Sequence, residues 1–180
     1  MSTSAAPGEL ELVRDFVNTY EVEEDADLLA TPAALQEWFA ARGLLRGDRV
    51  TRSDLGHARQ VREALRALLL ANNGVSVRKE AAAALNRAAA RAHLQVRFAP
   101  EGSAAAAALA PGVDGALGRL LGLIATAMAD GTWSRLKACR AEDCRWAFYD
   151  HARNHSRQWC SMAVCGNRRK ARTYRRRHAA

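Results

Sequence analysis

Apolar residues in the first 130 positions recur mostly at intervals of three and four, the spacing of helices with one buried face. Val13, Phe16, Val17 and Tyr20 place such a stripe on a helix over residues 9–20. Thr31-Pro32 pairs an N-cap with a proline at the first helical position. Leu35, Trp38 and Phe39 form the apolar face behind it, and Gly43 is placed to end that helix. From about Ser53, a stripe of Val61, Leu65, Leu68 and Leu69 runs to the stop signal Asn72-Asn73-Gly74. Ser76 is placed to cap an alanine-rich helix reaching about Ala92. The period then changes. Leu94 to Phe98 alternates apolar and polar residues, which predicts a half-buried strand, and a turn at 101–103 returns residues 104–109 as a second strand. After Pro111-Gly112, the positions Leu117, Leu120, Leu121, Ile124 and Met128 mark another buried helix, closed by Asp130-Gly131.

From Trp133 the pattern shortens. Leu136, Ala138 and the alternation over residues 145–149 predict short strands, residues 150–156 a polar hairpin loop, and residues 157–160 a returning strand. Gly166 gives a permissive backbone, Asn167 is a good N-cap, and Arg168 to about Arg177 forms a helix with no internal Gly or Pro. The predicted fold class is therefore α+β. A mostly helical N-terminal domain with a small β-hairpin, residues 1–132, precedes a treble-clef-like four-cysteine module, residues 133–180, that ends in a basic helix.

Charge sharpens this division. The chain of 180 residues has room for one ordinary domain and a small module, and its formal net charge is +8. Residues 1–132 hold 14 Lys/Arg against 16 Asp/Glu, a net of −2, whereas residues 133–180 hold 13 against 3, a net of +10. A localised basic excess is the electrostatic footprint of a polyanion partner, with a merely solubilising tail as the alternative. Residues 1–12 show neither the basic nor the apolar region of a signal peptide, and the longest apolar run, residues 104–111, is too short to span a bilayer. The expected location is the cytoplasm, with no membrane partner.

The same segment holds the only four cysteines, as Cys139-x4-Cys144 and Cys160-x4-Cys165. In a reducing compartment such pairs bind metal, and four thiolates suit a tetrahedral structural Zn2+ with no open coordination position. Disulfides or free core thiols are the competing readings. His151, His155 and His178 are the only nearby substitutes for a cysteine ligand in that tail.

On the terminal helix Arg168, Arg169, Arg172, Arg175 and Arg176 fall within an arc of about 120°. Ala171, Tyr174 and His178 fall on another arc, expected to pack on the metal core. Arginine forks suit phosphate oxygens and guanine edges, and a basic helix tied to zinc can enter a DNA major groove. Arg153, Asn154, Arg157 and Asn167 are further candidates for backbone contact. Trp146, Phe148, Tyr149 and Trp159 either stack on unpaired bases, as in RNA recognition, or pack around the metal, and core packing is the expectation for at least two of them. Asp15 and Asn18, polar residues within an apolar helix, either bind a small effector or tie down the helix end. Neither GxSxG, a Walker loop nor HExxH is present, and a non-enzyme is expected.

The run Cys160-Ser161-Met162-Ala163-Val164-Cys165-Gly166-Asn167-Arg168 resembles the CGNR zinc finger of bacteria, as do Cys139-x4-Cys144-x-Trp146-x-Phe148-Tyr149-Asp150, Arg153-Asn154 and Arg157-x-Trp159. The likeness covers roughly residues 133–177. His151 departs from it, standing where a small residue such as Ser is expected. The stretch from Leu10-x-Leu12 through Asp15-Phe16-Val17-Asn18-Thr19 is similar to the ABATE domain that precedes this finger. The resemblance implies a bacterial transcription regulator, of a kind described as stress-induced. The expectation is a zinc-dependent DNA-binding regulator, with an RNA-binding or ribosome-associated protein and a zinc-stabilised protein-interaction module as alternatives. Its oligomeric state is open, a dimer being one option.

Overall fold

The computed structural model describes residues 5–178, apart from the side chains of Arg176 and Arg177. Helix α1 (Leu10–Val17) buries Leu10, Val13, Phe16 and Val17. It stops short of the expected Tyr20 because Thr19 Oγ1 donates back to the Phe16 carbonyl at 2.8 Å and Asn18 turns to a distant strand. Tyr20 instead opens a hairpin of β1 (Tyr20–Glu21) and β2 (Ala26–Asp27), antiparallel with Tyr20 opposite Asp27. Strands this short leave no alternation to read.

Thr31 caps α2 (Pro32–Ala40) through the Ala34 amide, as expected, and Gly43 turns the chain at φ 65°. Helix α3 (Arg52–Ala71) is capped by Thr51 rather than from Ser53. Thr51 Oγ1 accepts from the Asp54 amide while the Asp54 carboxylate accepts from the Thr51 amide. Helix α4 (Lys79–Arg91) starts after Arg78 with no side-chain cap, so Ser76 does not serve as one.

Strands β3 (Gln95–Phe98) and β4 (Ala104–Ala107) pair antiparallel, with Phe98 opposite Ala104. The expected half-burial of β3 is not found: Val96 is 63% and Phe98 84% exposed. Their partners on β4 are alanines, too small to cover them, and α5 (Gly112–Ala129) packs against β4. That approach is close. A Cβ on Gly118 would lie 2.6 Å from the Ala108 methyl, and one on Gly122 would lie 3.0 Å from the Ala106 carbonyl oxygen. Among the described residues α5 is the one helix long and apolar enough to cross a membrane. It is a core helix here, with Leu117 and Leu120 fully buried, although Met128 at its end is exposed.

The remaining elements are a 3-10 turn (Thr132–Arg135), β5 (Leu136–Ala138), β6 (Ala147–Tyr149), a π turn (Met162–Gly166) and α6 (Asn167–His178). Residues 157–160 form no strand; they run as a loop whose Gln158 carbonyl accepts from the Arg140 amide at 3.1 Å. The α+β class stands: helices with three two-stranded pairs, and a four-cysteine module ending in a basic helix. Packing crosses the boundary expected at residue 132. Trp133, Leu136, Ala138, Ala147 and Tyr149 lie in the same buried cluster as Phe16, Leu65 and Leu117.

Candidate metal centre and nucleic-acid interface

β5 and β6 are joined by a tight knuckle. The Cys139 amide donates to Trp146 O, and the amides of Cys144 and Arg145 both donate to Ala141 O. This turn needs Arg145 in the left-handed region (φ 53°) and delivers Cys139 and Cys144 to one point. The second pair arrives from the π turn, which Ser161 caps by accepting from the Val164 amide. All four Sγ atoms lie within 4.8 Å of one another. Cys144 and Cys160 are 3.5 Å apart, and Cys160 and Cys165 3.7 Å. These separations exclude disulfides and fit the edges of a zinc–sulfur tetrahedron, about 3.8 Å for bonds of about 2.3 Å.

Electrostatics agree with that donor set. Hydrogen bonds from Cys144 and Cys160, helped by the amides of Cys160 and Ala141, hold the Cys139 thiol down at about 2. The bond to Cys139 pushes Cys144 up to about 12. Bonds with Cys139 and Cys144 raise Cys160, and burial raises Cys165. One thiolate thus suppresses ionisation of the others, and full deprotonation requires a cation at the centre. The four cysteines form a metal site whose chemistry fits zinc. None of the three histidines joins the sulfur cluster: His151 contacts the Ala5 carbonyl, His155 lies in the loop and His178 is exposed near the end of α6.

A second polar centre holds the 150–157 loop. Lys137 Nζ meets Asp150 at 2.8 Å with both side chains buried, and also donates to the His155 carbonyl. Burial pushes the Asp150 carboxyl up, but bonds from Lys137 and from the Ala152 and Arg157 amides outweigh it and leave the group below its ordinary range. Arg157 lies over the Phe148 ring and donates to the Cys160 carbonyl at 2.8 Å. It is therefore built into the module. Arg153 and Asn154 remain exposed. Phe148 and Tyr149 are buried, and Trp146 and Trp159 pack half-buried against the cysteines, as expected of a core.

Four side chains from the front segment grip this module. Asn18 Nδ2 donates to Ala147 O at 2.9 Å while its Oδ1 accepts from Ala147 N at 2.7 Å. Asn72 donates to the carbonyls of Trp133 and Leu136, and Asn73 to those of Ala138 and Gln158. The buried Arg66 reaches Val17 O, Tyr20 O and the strained knuckle residue's carbonyl, Arg145 O.

Residues 10–131 match the family model ABATE, described as "Putative stress-induced transcription regulator", and residues 135–178 match the CGNR zinc finger. The chain belongs to the ABATE family. No curated protein matches it.

The two signatures acquire physical meaning here. In the ABATE segment, Phe16 and Val17 are core, Thr19 closes α1, and Asn18 clamps the finger's strand through both polar atoms of its amide. Asp15 is half-buried beside Arg14 at 3.2 Å and faces no common cavity with Asn18 among those described. In the CGNR run, Cys165 joins the sulfur cluster and Gly166 makes room: a Cβ there would sit 2.2 Å from Met162 Sδ. Asn167 is helical rather than an N-cap, and its amide donates to the Ala163 carbonyl at 3.1 Å. Arg168 pairs with Glu23 at 2.8 Å and with Asp143 at 3.3 Å, and Arg172 pairs with the same Asp143 oxygen at 2.8 Å. Arg169 and Arg175 are exposed; the side chain of Arg176 lies outside the described residues. The inward arc is overturned. Ala171 and His178 are exposed, and Tyr174 is 64% exposed, stacked on His178 rather than on the metal core. Beyond Thr173 the side chains described on α6, those of Tyr174, Arg175 and His178, are exposed. Glu23 and Asp143 were not legible as partners of this helix, because they lie 145 and 25 positions from Arg168 along the chain.

Proposed function

We propose that the protein is a cytoplasmic DNA-binding transcription regulator whose zinc is structural. In this reading residues 1–132 form the regulatory domain and residues 133–180 the DNA-binding finger. Zinc bound by Cys139, Cys144, Cys160 and Cys165 fixes the base of α6, and Arg168, Arg169, Arg172, Arg175 and Arg176 meet the nucleic acid, with Arg153, Asn154 and Asn167 on the same module as flanking contacts. The observation that carries the reading is a basic helix leaving the metal site directly and standing clear of the core. The ABATE description supports transcription and binding over catalysis. The RNA alternative needs exposed stacking rings, and the finger's hairpin supports it poorly because its aromatics are buried or half-buried. We assign Asn18 to docking of the finger, since both polar atoms of its amide bond the Ala147 backbone, and leave any effector to another part of the front domain. Recovery and sequencing of nucleic acid bound in cells tests the proposal. Discrete duplex DNA sites are expected. Enrichment of RNA, or of no nucleic acid, would contradict it.

A further inference from the structure

The base of α6 faces a cleft of about 460 Å³. Arg140 and Arg145 of the knuckle and Arg168, Arg169 and Arg172 of the helix line it, with Glu142 and Asp143 beside them. Five guanidinium groups around one hollow make a seat for phosphate oxygens. Two carboxylates already take part of that role. Asp143 Oδ2 accepts from Arg168 and Arg172 together. Asp143 lies on the finger itself, in the knuckle between Cys139 and Cys144. It is a fixed organiser of the two arginines.

Glu23 is different. It comes from the β1–β2 hairpin tip of the ABATE segment, and its oxygens lie 2.8 and 3.1 Å from the Arg168 guanidinium nitrogens. The pair is accessible to water, at 40% exposure for Glu23 and 33% for Arg168. An exposed ion pair is weak and exchangeable, and a polyanion can displace it. The hairpin itself is anchored behind the tip: Asp27 binds Arg62 and Tyr20 donates to Asp25. The tip is therefore held where its carboxylate reaches the first turn of α6.

We infer that Glu23 is an intramolecular competitor for the nucleic acid: its carboxylate takes the place of a backbone phosphate on Arg168 and leaves when duplex DNA binds. This rests on the nucleic-acid reading above. Binding then exchanges one carboxylate for one phosphate on Arg168, so wild-type protein gains less from that arginine than the geometry offers. The ABATE segment thereby acts on the affinity of the finger through one side chain.

The test uses full-length zinc-loaded protein and a random-sequence DNA duplex at several salt concentrations. Glu23→Gln is expected to tighten binding about two- to five-fold at low salt, the scale of an exposed ion pair. It should also steepen the log–log salt slope by up to about one. Glu24→Gln makes the same change in net charge next door without the contact, and should produce less than half that gain. In an Arg168→Ala background the Glu23→Gln gain should vanish. Equal effects of Glu23→Gln and Glu24→Gln, or a Glu23→Gln gain that survives Arg168→Ala, would overturn the inference. If Arg168→Ala weakens binding while Glu23→Gln changes nothing, the competitor is wrong and the interface stands. If wild type binds no duplex at all, the interface fails and the competitor with it.

Discussion

Asn18 shows how a residue read as ambiguous acquires one role. Both atoms of its amide bracket the backbone of Ala147, 129 positions away. Nothing in the local pattern of an apolar helix reveals such a partner, so the sequence favours a tie at the helix end without naming what it ties, and leaves a ligand open. Asn18→Asp keeps the size but turns a second oxygen toward the Ala147 carbonyl. The expected cost is about 1–3 kcal/mol, read as a lower Tm, with zinc content unchanged. Unchanged Tm with a lost cellular response would return Asn18 to a ligand site. Asp27 offers a pH test. Burial pushes its carboxyl up, but the Arg62 bond, the Leu29 amide and the charges of Arg62 and Arg59 bring it below the ordinary range. A depressed folded pKa means this stability is present above the unfolded value, about 3.9, and is lost as pH falls through the folded one. Asp27→Asn should lower stability at pH 7 by about 1–3 kcal/mol, leaving the buried Arg62 short of its partner, and its stability should fall less steeply than wild type in acid. Parallel acid curves for the two proteins would remove Asp27 from the account.

At the scale of elements, long periodic helices were legible and short irregular pieces were not. Thr31-Pro32 and the stripe through Leu65 and Leu69 fixed α2 and α3 because burial repeats there with helical spacing. β1–β2, the π turn and the loop at 157–160 depend on single bonds to remote groups, such as Gln158 O with Arg140 and Asn73. The exposed face of β3 is not legible in the sequence, because alternation reports which residues could be buried, not whether a partner covers them. The cysteines were the most legible feature: their paired spacing and a reducing compartment pointed to one metal site, and their sulfurs converge. The outward direction of Tyr174 was not legible, since a wheel shows two faces without saying which one meets protein. Cys160→Ser with Cys165→Ser should abolish metal binding of about one zinc per chain and release the base of α6. Metal analysis showing undiminished zinc in that double variant would refute the ligand set.

For the molecule as a whole, the boundary between ABATE segment and finger is a seam within one core. Leu136 and Ala147 are buried with Phe16, while Asn72, Asn73 and Arg66 hold carbonyls on the finger side. Chelation should therefore raise hydrogen exchange in the ligand loops, 139–146 and 157–166, and in α6. The change should diminish through β5 and β6, which the front segment holds, and leave α3 and α5 protected. Unchanged exchange over residues 139–178 after zinc removal would contradict a structural metal; equal loss along the whole chain would contradict separate regulatory and DNA-binding units. The central claim, that zinc presents an arginine helix to DNA, is tested most directly by duplex binding isotherms across salt for zinc-loaded wild type and for the combined Arg169→Ala, Arg172→Ala, Arg175→Ala variant. The account predicts weaker binding and a log–log slope reduced by about one for each arginine that contacts phosphate. Affinity and slope equal to wild type would contradict it and move the reader to the loop around Arg153.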